Sequence, residues 1–162
     1  SIGTKHNADG SNTYTNLVVT RVTKTSAHIY HGTGSSLGYA IDGVEGPFLE
    51  LKAGNTYRFD QSDGTNASHP LLFYYDPGKT TQFSTGVTTN GSPGSAGAYT
   101  QIVVSDTTPH ILYYQCSSHP YMGNRIGVNS KVLQDVSFVS STGSAVSFAT
   151  NAFAIAQAVA LG

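Results

Sequence analysis

The chain has 162 residues, enough for one domain with a hydrophobic core or one domain with added arms. Its 8 basic and 9 acidic side chains give a net charge of −1, so it lacks the positive surface that nucleic-acid binding requires. No apolar run reaches the ~18 residues that cross a bilayer, which argues against membrane insertion. The start at Ser1 indicates a removed leader or a piece of a longer chain.

Short apolar runs, many of them alternating, predict numerous strands and little helix. Gly, Asn, Asp and Pro punctuate these runs, as at Asp42-Gly43 and Asn90-Gly91, where turns are expected. Strands at this spacing favour an all-β sandwich or barrel over a parallel α/β sheet. The predicted strands are 14–23, 26–31, 37–42, 48–52, 55–60, 69–75, 99–105, 110–115, 125–128, 131–139 and 144–150.

Two segments interrupt this pattern. Residues 79–98 are rich in Gly, Ser and Thr and have no sustained periodicity, which predicts a long functional or mobile loop. Residues 151–162 are apolar and uncharged, and a final strand, a short helix and a packing arm all fit them. We therefore divide the chain into an N-terminal β-rich arm (1–37), a central domain (38–128) and a C-terminal β-rich, apolar arm (129–162).

The only cysteine and the only methionine lie close together, in the segment YYQCSSHPYMGNRI. Cys116, His119 and Met122 are spaced C-x2-H-x2-M, and one loop after a strand can turn all three toward one point. His69, at the start of the apolar stretch HPLLFYY, is the candidate fourth ligand. Two His, one Cys and a weak axial Met form the blue-copper ligand set, whereas Met is an unusual zinc ligand.

At these residues the chain resembles the cupredoxin family. The loop CSSHPYM is similar to the short ligand loop of amicyanin-type members, and LKAGNTYRFD resembles a strand opening of that family. The resemblance covers about residues 38–128 and implies a Greek-key β-sandwich, here with additional strands from both arms. It implies copper bound by His69, Cys116, His119 and Met122. In many small cupredoxins an Asn follows the first His and helps tie the two ligand loops together. Here Pro70 stands at that position, and it has no N–H to donate.

A second resemblance covers about residues 55–126. The stretches YRFDQSDGTNASHPLLF and YYQCSSHPYMGN, with the long loop between them, resemble cupredoxin-like modules in virion structural proteins of marine phages, including cyanophages. This resemblance implies a viral structural protein, located in a virion or another extracellular assembly. Its partners would be copies of itself or other structural subunits.

The ordinary interpretation of each residue stays open beside these resemblances. A lone Cys or Met is usually a core residue, and a cupredoxin scaffold can keep all four side chains without binding copper. His6, His28, His31 and His110 are expected to be surface or strand histidines. If residues 26–31 form a strand, His28 and His31 point to opposite faces and share no metal.

We predict no catalytic residue and no enzyme activity. The sequence contains no G-x-S-x-G elbow, no phosphate-binding Gly loop and no H-E-x-x-H motif. Cys–His nucleophile pairs usually take their His from a distant segment, unlike Cys116 and His119. The expected function is thus an assembly module with a copper-type site. The alternative is a soluble periplasmic or extracellular blue-copper electron-transfer protein that meets a redox partner.

Overall fold

The computed structural model describes residues 3–6, 13–131, 137–139 and 145–147, and the prediction of an all-β sandwich is confirmed there. The described part has no α-helix and one short 3₁₀ turn, Gly64–Asn66. No helix among these residues is long and apolar enough to cross a membrane. The strands are β1 Gly3–His6, β2 Thr13–Thr23, β3 Leu37–Ile41, β4 Val44–Glu45, β5 Leu49–Leu51, β6 Thr56–Asp60, β7 Leu71–Tyr74, β8 Gln82–Phe83, β9 Val87–Asn90, β10 Tyr99–Val103, β11 Ile111–Cys116, β12 Asn124–Val128, β13 Ser137–Val139 and β14 Ala145–Ser147.

The first sheet has the strand order β4-β3-β2-β6-β10-β9. The long β2 runs parallel to β6 on one side and pairs antiparallel with both β1 and β3 on the other. Residues 13–23, assigned to the N-terminal arm from sequence, therefore supply an interior strand of this sheet. The C-terminal strands β13 and β14 pair with each other, and the predicted tail 151–162 lies outside the described residues.

The second sheet has the order β5-β12-β11-β7-β8, with a parallel pair between β12 and β5. Its central strands β7 and β11 are antiparallel, with Cys116 opposite Leu71 and Tyr114 opposite Phe73. The burial of β11 follows from this central position, since its last three residues are fully enclosed. The start of β7, just after His69, therefore lies beside the end of β11, where the Cys116 loop begins.

The hydrophobic core lies between the two sheets. Phe59 of β6 meets Phe73 of β7 edge to face, with ring centroids 5.3 Å apart, and Tyr114 lies 6.3 Å from Phe59. The alternation of β6, in which Tyr57 and Phe59 are buried, sends one face of the strand into this core. Burial of each such aromatic ring stabilises the sandwich by about 1.5–3 kcal/mol.

The predicted strand 26–31 is wrong. The segment forms consecutive turns, closed by hydrogen bonds from His28 N–H to the Thr25 carbonyl and from His31 N–H to the His28 carbonyl. The Lys24 ammonium caps these turns by donating to the carbonyls of Tyr30 and Thr33. Ile29, the aliphatic side chain that a strand here would bury, is 67% exposed.

Candidate metal centre

Strand pairing brings the two predicted ligand regions together. Cys116 is the last residue of β11, and its partner Leu71 begins β7, so His69 lies two residues from the position opposite the thiol. His119 follows in the connection 117–123 between β11 and β12. The convergence therefore depends on sheet register, which a sequence motif does not contain.

Three of the four predicted side chains meet at one point. The Sγ of Cys116 is 3.7 Å from Nδ1 of His69 and 3.6 Å from Nδ1 of His119. The three ligand atoms lie within 4.8 Å of one another, and the centroids of the two imidazole rings are 4.7 Å apart. Cys116 is fully buried and His69 is 7% exposed, whereas His119 is partly exposed. The group can hold a metal ion.

The two sulfur–nitrogen distances match those around a bound transition metal. Metal–nitrogen bonds of about 2.0–2.1 Å and metal–sulfur bonds of about 2.3 Å, at angles between tetrahedral and trigonal, separate N from S by about 3.6–3.8 Å. The observed Sγ–Nδ1 distances of 3.6 and 3.7 Å lie in this range. The backbone N–H of Ser118 also points at the Cys116 sulfur, 3.4 Å away, as suits a thiolate ligand.

Met122 is buried in the core cluster that also contains Cys116. Its carbonyl accepts hydrogen bonds from the Tyr39 N–H at 2.7 Å and, on the other side, from the His28 ring at 3.1 Å. These contacts fix the backbone of the residue. The role of its thioether as an axial ligand stays a prediction.

Buried polar side chains hold the His69 backbone. Gln61 donates from Nε2 to the His69 carbonyl at 2.8 Å, and its Oε1 accepts the Leu71 N–H at 2.9 Å. The Tyr39 hydroxyl donates to the same His69 carbonyl at 2.7 Å. Asn66, also buried, donates from its side chain to the Val19 carbonyl on β2. His69 is thus tied to both sheets through groups that have no access to solvent.

Pro70 links the two ligand regions through its carbonyl. The backbone N–H of Ser117 donates to this oxygen at 2.9 Å, and the Lys79 ammonium donates to the Ser117 carbonyl at 3.1 Å. The missing N–H of Pro70, noted from sequence, therefore does not leave the loops unconnected. The link uses the carbonyl oxygen, an acceptor that proline keeps.

Strained and crowded backbone flanks the donors. Ser68 precedes His69 and has a φ of 66°. Tyr121 lies between His119 and Met122 and has a φ of 61°. Both values are in the left-handed region that non-glycine residues rarely adopt. At Gly123 a Cβ would lie 1.7 Å from the Tyr114 carbonyl oxygen. Only glycine fits there, and its N–H donates to the buried Gln115 side chain at 2.7 Å.

The electrostatics favour a neutral imidazole at His69. Burial lowers the pKa of His69 from its ordinary 6.5, and the nearby His119 and Arg21 lower it further. A metal ligand must be deprotonated, so a depressed pKa keeps the donor atom available near neutral pH.

Sequence reasoning missed two contributors to this site. His28, interpreted as a surface or strand histidine, is 2% exposed and contacts Met122 from a position 94 residues earlier. Gln61 carried no visible signal either, because a glutamine after an apolar strand is ordinary. Both act through tertiary contacts that only the fold creates.

No family model, curated protein or solved structure matches this chain. The residues of the site themselves therefore carry the functional interpretation.

Proposed function

We propose that this chain is a cupredoxin-like module that binds one copper ion through His69, Cys116 and His119, with Met122 as the axial ligand. The observation that carries the proposal is the convergence of two imidazole nitrogens on one thiol at 3.6 and 3.7 Å. A thiolate with two imidazoles suits copper, and a buried thioether in the same loop favours copper over zinc. Cupredoxin membership also draws support from the two sheets between which the chain crosses repeatedly.

When bound, copper would supply a one-electron Cu(II)/Cu(I) couple. The chain's own residues would fix the donor atoms, since hydrogen bonds from Gln61, Tyr39 and Ser117 hold the loops in place. Burial of Cys116 excludes water from the sulfur. His119 is the partly exposed donor, so electrons would enter or leave at its ring. This arrangement favours electron exchange as the role of the site.

Metal analysis tests this proposal. After incubation with Cu(II) and gel filtration, the wild-type chain should retain one copper per chain. His69→Ala and His119→Ala should each lose most of it, whereas His31→Ala, at an exposed histidine outside the ligand set, should retain it. Met122→Leu should keep the copper but shift its reduction potential, because an axial ligand tunes the metal more than it holds it. Equal retention by wild type and both ligand variants would refute the proposal.

We also propose that the module assembles with further copies of itself in a virion or another extracellular structure. The observation that favours this second role is an open groove of about 400 Å³, in which Tyr75, Phe83 and Val103 lie among threonines, a serine, a glycine and a proline. Tyr75 and Val103 are 50% and 48% exposed, so both side chains are available for burial between copies. Of the outer strands, β4, β5 and β8 have two or three residues each and offer little edge for strand addition, so side-chain burial is the expected contact there.

Sedimentation of the full chain over a range of concentrations tests the assembly role. Self-association should appear at micromolar concentration and weaken in Val103→Lys, which places a charge in the groove. The exposed Val44, on β4, provides the matched control Val44→Lys. A chain that stays monomeric and exchanges electrons rapidly with a small redox partner would favour the soluble carrier.

A further inference from the structure

We infer that His28 is a positioning residue for the ligand loop, acting on Met122 through a hydrogen bond to its backbone carbonyl. The His28 ring is 2% exposed, and its Nε2 lies 3.1 Å from the Met122 oxygen. This role rests on the proposed copper site and assigns a function to a histidine outside the ligand set.

The hydrogen bonds of His28 define its tautomer. The backbone N–H of Tyr30 donates to Nδ1 at 3.1 Å, so Nδ1 carries a lone pair. The ring proton then resides on Nε2, where it points to the Met122 carbonyl. Burial, the main influence, lowers the pKa of His28, which agrees with a neutral ring that donates on one side and accepts on the other.

The Met122 carbonyl has two donors that approach from different parts of the chain. The Tyr39 N–H, on β3, donates at 2.7 Å, and His28 supplies the second hydrogen bond. The preceding residue, Tyr121, has a φ of 61°, a conformation that persists only when its surroundings enforce it. Because the backbone direction at Met122 determines where its side chain departs, these two hydrogen bonds orient the thioether.

The His28 ring has little freedom to move. A Cβ at Gly38 would lie 2.9 Å from Cδ2 of His28, and a Cβ at Gly46 would lie 2.7 Å from the same atom. The imidazole thus packs directly against the backbone of both glycines, and a side chain at either position would collide with it. The ring is therefore held against the ligand loop by close packing as well as by its hydrogen bonds.

Copper affinities of His28 variants test the inference. His28→Gln keeps an N–H donor near the place of Nε2, whereas His28→Leu removes it, and His31→Leu is the exposed control. Cu(II) and Cu(I) affinities are measured separately by competition with chelators. A thioether is a soft ligand that prefers Cu(I). His28→Leu should therefore weaken Cu(I) binding by about tenfold to a hundredfold, the usual cost of losing an outer partner, and weaken Cu(II) binding less.

His28→Gln should recover most of the lost Cu(I) affinity, and His31→Leu should match the wild type. In a Met122→Leu background, His28→Leu should cause no further selective loss of Cu(I), because the two positions act through one group. Equal losses for Cu(I) and Cu(II), repeated in the Met122→Leu background, would overturn the inference and leave His28 a residue of the fold alone.

Nitrogen NMR of the copper-free chain gives a readout that needs no metal. The His28 ring should show a slowly exchanging proton on Nε2 and an unprotonated Nδ1. A proton on Nδ1 would overturn the inference whether or not copper binds. Failure of the wild type to bind Cu(II) or Cu(I) would instead refute the proposed function, so the two failures are distinguishable.

Discussion

Two irregular segments of this chain differ in how they are held. The connection 117–123 is short, and its backbone is tied at several points to the rest of the sandwich. Hydrogen bonds from Ser117 to Pro70, from Tyr39 to Met122 and from Gly123 to Gln115 connect it to three other parts of the fold. Its end, at Met122 and Gly123, is fully buried.

Residues 79–98 form the contrasting segment. They contain only the short strands β8 and β9, and three of the four residues of β9 are exposed. Their firmest contacts with the interior lie at Phe83, which is 6% exposed, and near the end, where Gly94 and Ala98 hydrogen-bond to the Gln61 backbone. Most of the remaining side chains face solvent.

The two segments differ in whether their polar side chains are buried or exposed. Around the candidate metal centre, buried amides and hydroxyls are used to fix backbone carbonyls and N–H groups, which is costly unless every partner is satisfied. In the 79–98 segment most polar side chains are exposed, although Lys79 reaches the ligand loop at the Ser117 carbonyl. A site that must hold donor atoms within a few tenths of an ångström needs the first arrangement.

The largest effect is expected at Gly123. In Gly123→Ala the new Cβ would lie 1.7 Å from the Tyr114 carbonyl, so the strand or the loop must move. We expect a loss of at least about 3 kcal/mol in the free energy of unfolding, at the upper end of overpacking costs. Urea denaturation of the copper-free chain measures this loss.

Gly97, in the long segment, provides the matched control. Its φ is 81°, and an added methyl group would meet no atom within 4 Å, so Gly97→Ala should cost only the about 1–2 kcal/mol of a left-handed alanine. Equal losses at the two glycines would contradict the proposed difference between the segments.

A smaller loss is expected at Gln61. In Gln61→Leu the Leu71 N–H loses its buried acceptor, whereas the His69 carbonyl keeps the Tyr39 hydroxyl as a donor. An unsatisfied buried N–H costs about 1–3 kcal/mol, so the free energy of unfolding should fall by about 1–3 kcal/mol.

The exposed Gln82 on β8 is the control for Gln61. Gln82→Leu should change stability by less than about 0.5 kcal/mol, as surface substitutions usually do. Thermal and urea unfolding of both variants provide the comparison, and a Gln82→Leu variant as unstable as Gln61→Leu would undermine it.

The smallest effect is a pH dependence at Asp63, which caps the turn before His69. The hydroxyl and then the backbone N–H of Thr65 lower the pKa of the Asp63 carboxyl below 3.8. A lowered folded-state pKa gives stability that is present above 3.8 and lost as pH falls through the folded value. An Asn at this position caps the turn comparably but does not titrate. The difference in thermal unfolding midpoint between the wild type and Asp63→Asn should therefore shrink as the pH falls below 3.8. A constant difference would contradict this expectation.

Much of the fold could be predicted from the sequence because alternation maps directly onto strands. The predicted strands 14–23, 55–60 and 110–115 correspond to β2, β6 and β11. Failures occurred where pairing is decided by neighbours. The two-residue strands β4 and β8 were not predicted, because they form only by pairing with β3 and β7. The segment 26–31 was predicted as a strand from its composition, but it has no partner strand.

The site was predictable to the extent that its chemistry lies within one loop. The spacing of Cys116, His119 and Met122 identified the loop, and the apolar strand after His69 suggested the fourth position. The supports were not predictable, because His28 and Gln61 reach the site through tertiary packing. Local patterns carry no record of such contacts.

The absorption spectrum of the chain with Cu(II) tests the central claim most directly. Copper bound to the Cys116 thiolate should give an intense visible charge-transfer band that saturates at one copper per chain. The band should be absent in Cys116→Ala and present in His31→Ala. A wild-type chain that stays colourless at every copper ratio, or a band that survives in Cys116→Ala, would contradict the copper site proposed at His69, Cys116 and His119.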